Sequence, residues 1–449
     1  MNTQNILILG AGKSATVMIE YLAEWTKNSA WTLNVVDMDA LSLQTKLNQF
    51  PWIQGTVADV NEDNALLDLL HNSKLVISLL PPFMHPRVAG LCLEANCHLL
   101  TASYLSDEML SLHQNALDKG LLFLNELGLD PGIDHMTAMQ FIDEVRQQGG
   151  IIDAFESYTG GLMAPQSENG PWKYKFTWNP RNVVLAASGG AVKFLHEGKY
   201  KYIPYHKVFR RTEVIELEGY GEFEVYGNRD SLKYLDLYNL KGIKTLYRGT
   251  MRRVGFCRAW DLFVQLGMTD DTYLMEGVES MTHRDFINSF LFYHPTDSVE
   301  TKLAQVLRLD LDSEEFRKLK WLNLFETIPV GLNRPATPAQ ILQHILEKKW
   351  TLNPEDKDMI VMFHLLKYKL NNTQYELRAH LVVEGENPTH TAMAKTVGLP
   401  LAIATKLILN EEIKLRGVQI PVHAEVYRPI LDELKGLGMT MQHSLTRVD

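Results

Sequence analysis

The chain opens on an almost wholly apolar run, Asn5-Ile-Leu-Ile-Leu9. Gly10-Ala-Gly-Lys-Ser-Ala15 follows, and then apolar residues at helical spacing: Val17, Met18, Tyr21, Leu22 and Trp25. Short continuous apolar runs fit strands of a parallel sheet buried on both faces. The order predicted is therefore strand, glycine turn, helix. The alternation continues with a second strand over 31–36 ending in Asp37 and a third ending near Val57-Ala58-Asp59. A fourth over 75–80 runs into Pro81-Pro82, and a fifth and sixth cover 98–104 and 121–125. After a turn-rich stretch from Glu126 to His135, helix resumes at about 136–148.

From about Ile151 the pattern changes to short aromatic-rich β-like runs at 154–158, 174–178, 213–217 and 223–226. Such runs predict a mixed sheet rather than further βα units. Residues 272–349 read as helical, with 285–292 and 339–348 as examples, and 359–368 and 375–383 read as returning strands. Helical patterns at 391–395 and 399–409 follow, and 422–441 is expected to close the chain back on its first domain. The predicted class is α/β: an N-terminal Rossmann doubly wound parallel sheet, an inserted α+β substrate domain and a small helical subdomain. The expected divisions are 1–135 for the Rossmann domain, 136–271 with 350–388 for the substrate domain, 272–349 for the helical subdomain and 389–449 for the return.

Composition narrows the function classes. In 449 residues, 45% are hydrophobic and 22% charged, so a sizeable core can form and global disorder is excluded. The net charge of −10 argues against a general nucleic-acid binder. Three cysteines, Cys92, Cys97 and Cys257, are too few for a disulfide framework and lack metal-ligand spacing, so no metal is expected. The N-terminus does not read as a signal peptide and no run of about 18 apolar residues stands out, so no membrane span and a cytoplasmic location are expected.

The glycine turn carries the first chemistry. In G-x-G-x-x-A context, Gly10 permits the tight turn, Gly12 lets a pyrophosphate approach the backbone, and Ala15 allows close helix–strand packing. Lys13 and Ser14 complete the turn. The helix N-terminus that follows offers free N–H groups. Asp37 lies 25 residues beyond Gly12, near the spacing of about 20 for the acidic residue that accepts from the adenine ribose. A carboxylate there repels a 2′-phosphate, which favours NAD over NADP, with NADP still possible. The other strand ends, Ala58, Asp59, Leu79, Leu80 and Ala102, belong to the same cofactor edge, because ligands of open α/β sheets bind outside the carboxyl ends of the strands.

Other groups read two ways. Asp130, in Asp130-Pro-Gly-Ile-Asp134-His135, can hold a substrate ammonium or shuttle a proton, or can simply open a turn. Asp134 reads as a helix cap and His135 as structural. Ser103 and Tyr104 end the fifth strand as hydrogen-bond donors toward a substrate carboxylate or a nicotinamide amide, or as a satisfied strand end. Arg229, in Tyr226-Gly-Asn-Arg-Asp-Ser231, suits a carboxylate. On sequence alone, however, that arginine and the cations of Arg248-Gly-Thr-Met-Arg-Arg253 read as solvated surface charge. The basic stretch 193–211 reads the same way.

These segments together resemble the saccharopine dehydrogenase family of the glutamate-forming type. The resemblance rests on Gly10-Ala-Gly, Ile77-Ser-Leu-Leu-Pro81, Thr101-Ala-Ser-Tyr104 and Asn125-Glu-Leu-Gly-Leu-Asp-Pro-Gly-Ile-Asp-His135. It continues through Ser157-Tyr-Thr-Gly-Gly-Leu-Met-Ala-Pro165, Tyr174-Lys-Phe-Thr-Trp178, Tyr226-Gly-Asn-Arg-Asp-Ser231 and Arg248-Gly-Thr250. It implies the reversible conversion of saccharopine, NAD(P)+ and water to L-glutamate, 2-aminoadipate 6-semialdehyde and NAD(P)H. It further implies that Ser103, Tyr104, Asp130, Trp178, Arg229 and Thr250 contact substrate, that Leu129 and Pro131 line the nicotinamide, and that Asp130 and Tyr104 are the acid/base candidates. A small-molecule amino-acid substrate, no nucleic-acid or membrane partner, and a homodimer are expected.

Two departures stand out. Family members that use NADP carry a basic residue after the second strand, where this chain has Asp37-Met-Asp39. Thr159 also stands where the family often has cysteine, so no thiol role transfers. A carboxynorspermidine dehydrogenase, a lysine 6-dehydrogenase or a non-catalytic NAD-binding protein are the competing readings.

Overall fold

The computed structural model describes residues 5–448. They form two compact units, one of 5–151, 370–373 and 379–444, the other of 152–369, 374–378 and 445–448.

The first unit is built on β1 (Asn5–Leu9), β2 (Thr32–Asp37), β3 (Gln54–Val57), β4 (Leu75–Ser78), β5 (His98–Thr101) and β6 (Leu122–Leu124). A seventh short strand, Gly417–Gln419, joins the edge, and the order is Gly417–Gln419, β6, β5, β4, β1, β2, β3. Every pairing in this sheet is parallel. The apolar run of β1 has the predicted cause: Ile6, Leu7, Ile8 and Leu9 are fully buried because helices cover both faces. The expected doubly wound sheet is thus present, with its carboxyl ends along one edge.

The ladders of β5 and β6 are shorter than their apolar patterns. Beyond β5 the carbonyls of Thr101 and Ser103 accept instead from Leu127 N (3.1 Å) and Glu126 N (3.0 Å). The backbone leaves the sheet there to hold the 126–132 turn. The two helical patterns near 391 and 399 are one helix, Ala392–Leu409, capped by Thr391, whose Oγ1 accepts from Ala394 N at 2.9 Å. It packs against the helix Thr16–Lys27. A Cβ on Gly398 would lie 3.0 Å from Met18 Cβ and 3.3 Å from Ser14 O, so the small residue permits the close approach. This helix is long and apolar enough to cross a membrane, with a mean hydropathy of 1.5, but 78% of it is buried inside the fold. Interior packing accounts for its composition.

The second unit carries a mixed sheet. Its strands are β7 (Ile151–Met163), β8 (Val192–His196), β9 (Lys199–Ile203), β10 (Thr212–Leu217), β11 (Gly221–Gly227), β12 (Thr245–Arg253) and β13 (Asp358–Leu370). The order is β10-β11-β12-β7-β13, with β8 paired to both β12 and β9. β10, β11 and β12 run antiparallel, and β12 and β7 run parallel. The helices expected in 272–349 are His283–Asn288, Val299–Leu307, Glu314–Trp321 and Pro338–Trp350, and all four lie in this unit. The helical pattern at 285–292 ends early, at Asn288; it begins at a capping box formed by Thr282 and Asp285.

Residues 174–178 correct the sequence reading, because they form no strand. Phe176 N donates to Trp350 O at 2.8 Å. The rings of Tyr174 and Phe176 pack edge-on to Trp350, with centroids 5.0 and 5.2 Å away. The aromatic periodicity serves ring packing rather than a ladder.

Candidate active site

In the first unit the candidate residues gather where the parallel strands end. Gly10 has φ +102° and its N–H donates to Val36 O at 2.8 Å, a left-handed turn that suits glycine. Gly12 is the N-cap of the short helical turn Lys13–Ala15, which leads into Thr16–Lys27, and no side chain caps this start. A Cβ built on Gly12 meets nothing within 4 Å. Open space in front of an uncapped helix start is what a pyrophosphate needs, so these residues fit the dinucleotide they were expected to hold. Ala15 is fully buried, and Lys13 is exposed.

Asp37 is tied into this turn. Its Oδ2 accepts from Ala11 N at 2.6 Å and its Oδ1 from Asp39 N at 2.9 Å. Asp39 in turn caps the helix Ala40–Leu47 through Leu41 N at 3.0 Å. Lys46, the nearby cation, bonds Thr16 Oγ1 at 2.5 Å, and burial lowers its pKa. On β3's side, Ala58 N donates to Asp37 O at 3.2 Å, and Asp59 Oδ1 accepts from Asn61 N at 2.9 Å. Leu79 N donates to Leu9 O at 2.9 Å, and Leu79's backbone lies 3.5 Å from where a Gly10 Cβ would sit. Leu80 follows it, half-buried.

The end of β5 and the 126–135 turn hold the expected substrate groups. Tyr104 Oη donates to Asp130 Oδ1 at 3.1 Å, and both side chains are half-buried. Leu129 and Pro131, on either side of Asp130, are buried. The turn itself is locked by close backbone contact. A Cβ on Gly128 would come within 2.9 Å of Ala102 Cβ, and one on Gly132 within 2.1 Å of Gly128 O. The helix Ile133–Gln147 starts on Gly132 with no side-chain cap, so Asp134 is not the cap the sequence predicted; from inside the first turn its Oδ1 accepts from Gly132 N at 2.6 Å. His135 is fully buried with Nε2 at 2.7 Å from Glu126 Oε2, while Glu126 Oε1 accepts from Leu105 N at 2.9 Å. The pair braces the turn.

One residue of this edge has no counterpart in the sequence reading. His85, at the start of the helix His85–Ala95 after β4, is buried (2% exposed) and touches three hydroxyls. Its Nδ1 lies 3.1 Å from Ser78 Oγ, and its Nε2 lies 3.0 Å from Thr101 Oγ1 and 2.9 Å from Ser103 Oγ. Burial pushes its pKa down to about 4. The only signal in the sequence was a histidine directly after Pro81-Pro82-Phe-Met, at the end of a buried strand.

In the second unit, register sets Thr250 of β12 between Tyr226 of β11 and Thr159 of β7. Thr250 is half-buried, and Thr159 Oγ1 is buried with no hydrogen-bond partner among the described residues. Trp178 is half-buried. Arg229 is exposed at φ +51° in the turn after β11, where its carbonyl accepts from Lys193 N at 3.0 Å.

The solvated reading of Arg248, Arg252 and Arg253 is corrected: all three are at most 9% exposed. Every position of β12 but Thr250 is buried, so side chains on both of its faces are covered. The Arg248 guanidinium sits 4.3 Å from the Tyr234 ring centroid. Arg252 lies over Tyr174 and Phe256 at 5.1 and 5.5 Å, and Arg253 pairs with Glu168. Ring faces and a carboxylate replace water around these cations.

A parallel sheet in 3-2-1-4-5-6 order, with an uncapped glycine turn after its first strand, defines a Rossmann dinucleotide-binding unit. Comparison with known proteins carries this further. Residues 6–124 match the saccharopine dehydrogenase NADP binding domain, and residues 128–439 match the saccharopine dehydrogenase C-terminal domain. The chain is 33% identical over 458 residues to the mitochondrial alpha-aminoadipic semialdehyde synthase of Rattus norvegicus, covering 99% of this chain and 48% of that protein. It thus spans about half the length of such synthases. It is 31% identical to the saccharopine dehydrogenase [NADP(+), L-glutamate-forming] of Saccharomyces cerevisiae, covering 96% of this chain and 97% of that protein. The solved apo structure of the Saccharomyces cerevisiae saccharopine dehydrogenase (L-Glu forming) superposes with a TM-score of 0.87 at 30% identity, covering 99% of this chain and 100% of that one. The chain belongs to the saccharopine dehydrogenase family.

Proposed function

We propose that this protein is an NAD(P)-dependent oxidoreductase of CH–NH donors. It converts saccharopine and water to L-glutamate and 2-aminoadipate 6-semialdehyde, reversibly, within lysine metabolism. The observation that carries this is the agreement with the L-glutamate-forming yeast enzyme over nearly all of both chains.

The pyrophosphate would lie on the turn of Gly10, Gly12, Lys13, Ser14 and Ala15, with Asp37, Ala58 and Asp59 toward the adenine ribose and Leu79, Leu80, Ala102, Leu129 and Pro131 toward the reactive ring. When bound, the nicotinamide supplies the acceptor for a hydride from the substrate carbon next to the secondary amine. The substrate imine left behind is hydrolysed by water. Asp130, aligned by the Tyr104 hydroxyl, holds the substrate ammonium and takes its proton. Ser103 receives hydrogen bonds from the same substrate region. Trp178, Arg229 and Thr250 are the groups we assign to substrate on the second unit, with Arg229 on a carboxylate.

NAD is the favoured cofactor in this reading. Asp37 sets a carboxylate at the end of β2, and the nearby cation Lys46 is spent on Thr16. A homodimer in the cytoplasm remains the expected setting.

The test is turnover of saccharopine at mildly alkaline pH with NAD+ and with NADP+, read as absorbance of the reduced nicotinamide. Activity with saccharopine supports the proposal. Activity on lysine or carboxynorspermidine with none on saccharopine would overturn it. Arg229→Ala is expected to raise the saccharopine KM about tenfold while leaving cofactor affinity intact.

A further inference from the structure

His85 is joined to a group assigned to substrate without being placed to touch substrate itself. Its ring is buried beneath the ends of β4 and β5. Ser78 Oγ stands on its Nδ1 side, and Thr101 Oγ1 and Ser103 Oγ stand together on its Nε2 side. Thr101 Oγ1 also accepts from Ser103 N at 3.2 Å, so the Ser103 backbone and side chain are both tied to this cluster. A ring held uncharged by burial has one N–H and one lone pair to distribute. Two hydroxyls, each with a proton to donate, converge on Nε2, whereas a single hydroxyl faces Nδ1. With the lone pair on Nε2 and the proton on Nδ1, Ser78 Oγ accepts from the ring and the Ser103 hydroxyl, the nearer of the two at 2.9 Å, donates to it.

We propose that His85 is a positioning residue: through Nε2 it accepts the hydrogen bond of the Ser103 hydroxyl, so that Ser103 Oγ is fixed as an acceptor for N–H groups of the substrate. The choice matters because a free serine hydroxyl rotates among staggered positions and can donate or accept. Tethered to a buried ring, it does one thing in one direction before the ligand arrives, which is preorganisation. This inference rests on the saccharopine dehydrogenase reading given above.

The test uses the full-length protein with His85→Asn, His85→Gln, Ser103→Ala and the double variant His85→Asn/Ser103→Ala. An asparagine amide reaches about as far as Nδ1 and a glutamine amide about as far as Nε2. His85→Asn is expected to raise the saccharopine KM about tenfold, with NAD(P)H affinity from fluorescence titration unchanged within about twofold. His85→Gln is expected to recover most of that loss. In the double variant, His85→Asn is expected to add nothing to Ser103→Ala, because the tether then has nothing to hold. Equal losses for Asn and Gln, or fully additive losses in the double variant, would overturn the proposal.

A second arm needs no substitution. The imidazole nitrogens of His85 in the wild-type protein, followed by nitrogen NMR at neutral pH, are expected to show Nδ1 protonated and Nε2 bare. A proton on Nε2 overturns the assignment even if the variants do not fold. Absence of saccharopine turnover in the wild type would count against the enzymatic reading and leave this arm intact. Full turnover with His85→Asn unaffected would count against this inference alone.

Discussion

The carboxyl edge of the parallel sheet and the β12 face of the second unit both carry polar side chains in covered positions, but they satisfy them by different means. At the edge, small groups from turns and neighbouring strand ends meet through hydrogen bonds. Asp37 caps backbone N–H groups of Ala11 and Asp39, Asp134 accepts from Gly132 N, and His85 ties Ser78, Thr101 and Ser103 together. On β12, large cations are held by rings and by partners distant in sequence, such as Glu168 for Arg253. A neighbouring hydroxyl, Thr159 Oγ1, has no partner among the described residues. The first region is organised by hydrogen bonds that turn chemistry places almost automatically. The second is organised by strand register and ring packing, and it stands or falls with the unit's core.

That contrast can be broken at its strongest point first. Trp350 packs against Trp172 at 5.4 Å, Tyr174 at 5.0 Å and Phe176 at 5.2 Å and is fully buried. Trp350→Ala is expected to cost about 3–5 kcal/mol in urea unfolding, while cofactor binding by the still-folded fraction persists. A loss below about 1 kcal/mol would show that the cluster does not carry the second unit.

The next effect belongs to the parallel sheet and to pH. Burial lowers the pKa of both His85 and His98 from 6.5 to about 4. Below pH 6.5 the unfolded chain therefore binds protons that the folded protein refuses. Each ring draws down stability as pH falls from 6.5 toward 4, by at most ~3 kcal/mol, and draws no further below that. His98 Nδ1 accepts from Leu122 N at 2.9 Å, a bond that protonation would remove. His98→Gln is expected to flatten the dependence of unfolding free energy on pH across this window. An unchanged slope would remove His98 from the account.

Smaller in size is the cofactor preference. Asp37→Ala is expected to weaken NAD by about 1–2 kcal/mol and NADP by less, in parallel binding titrations. Equal weakening would separate Asp37 from the ribose. The smallest effect sharpens the comparison on the other side. Thr159→Val removes an unpaired buried hydroxyl, so stability is expected to hold or rise by up to about 1 kcal/mol. A clear loss in thermal unfolding would mean the hydroxyl has a partner.

Much of the edge was legible in the sequence. The run Asn5–Leu9, the glycine turn and Asp37 belong to one βαβ unit, and a parallel sheet leaves them little choice of arrangement. Asp134 was read as a cap, but the helix starts on Gly132 and Asp134 accepts from Gly132 N inside the first turn. His85 was not legible, because its partners Ser78, Thr101 and Ser103 come from two other strand ends, and a lone histidine carries no pattern. The β12 arginines were misread because charge alone predicts exposure, whereas rings and a carboxylate packed on both faces of the strand cover them. Residues 174–178 were misread because alternating aromatics look alike whether they join a ladder or fill a ring cluster.

The alternation of strand, turn and helix along the chain determined the parallel sheet, its cofactor turn and the family to which these motifs point, since short βα connections leave consecutive strands few ways to pair. Only the tertiary structure decided which buried cations have ring partners, which buried hydroxyls lack a partner among the described residues and which histidine holds Ser103. Those outcomes depend on register and packing between segments far apart in sequence, where the free energy of a contact is set by surroundings that no local pattern encodes.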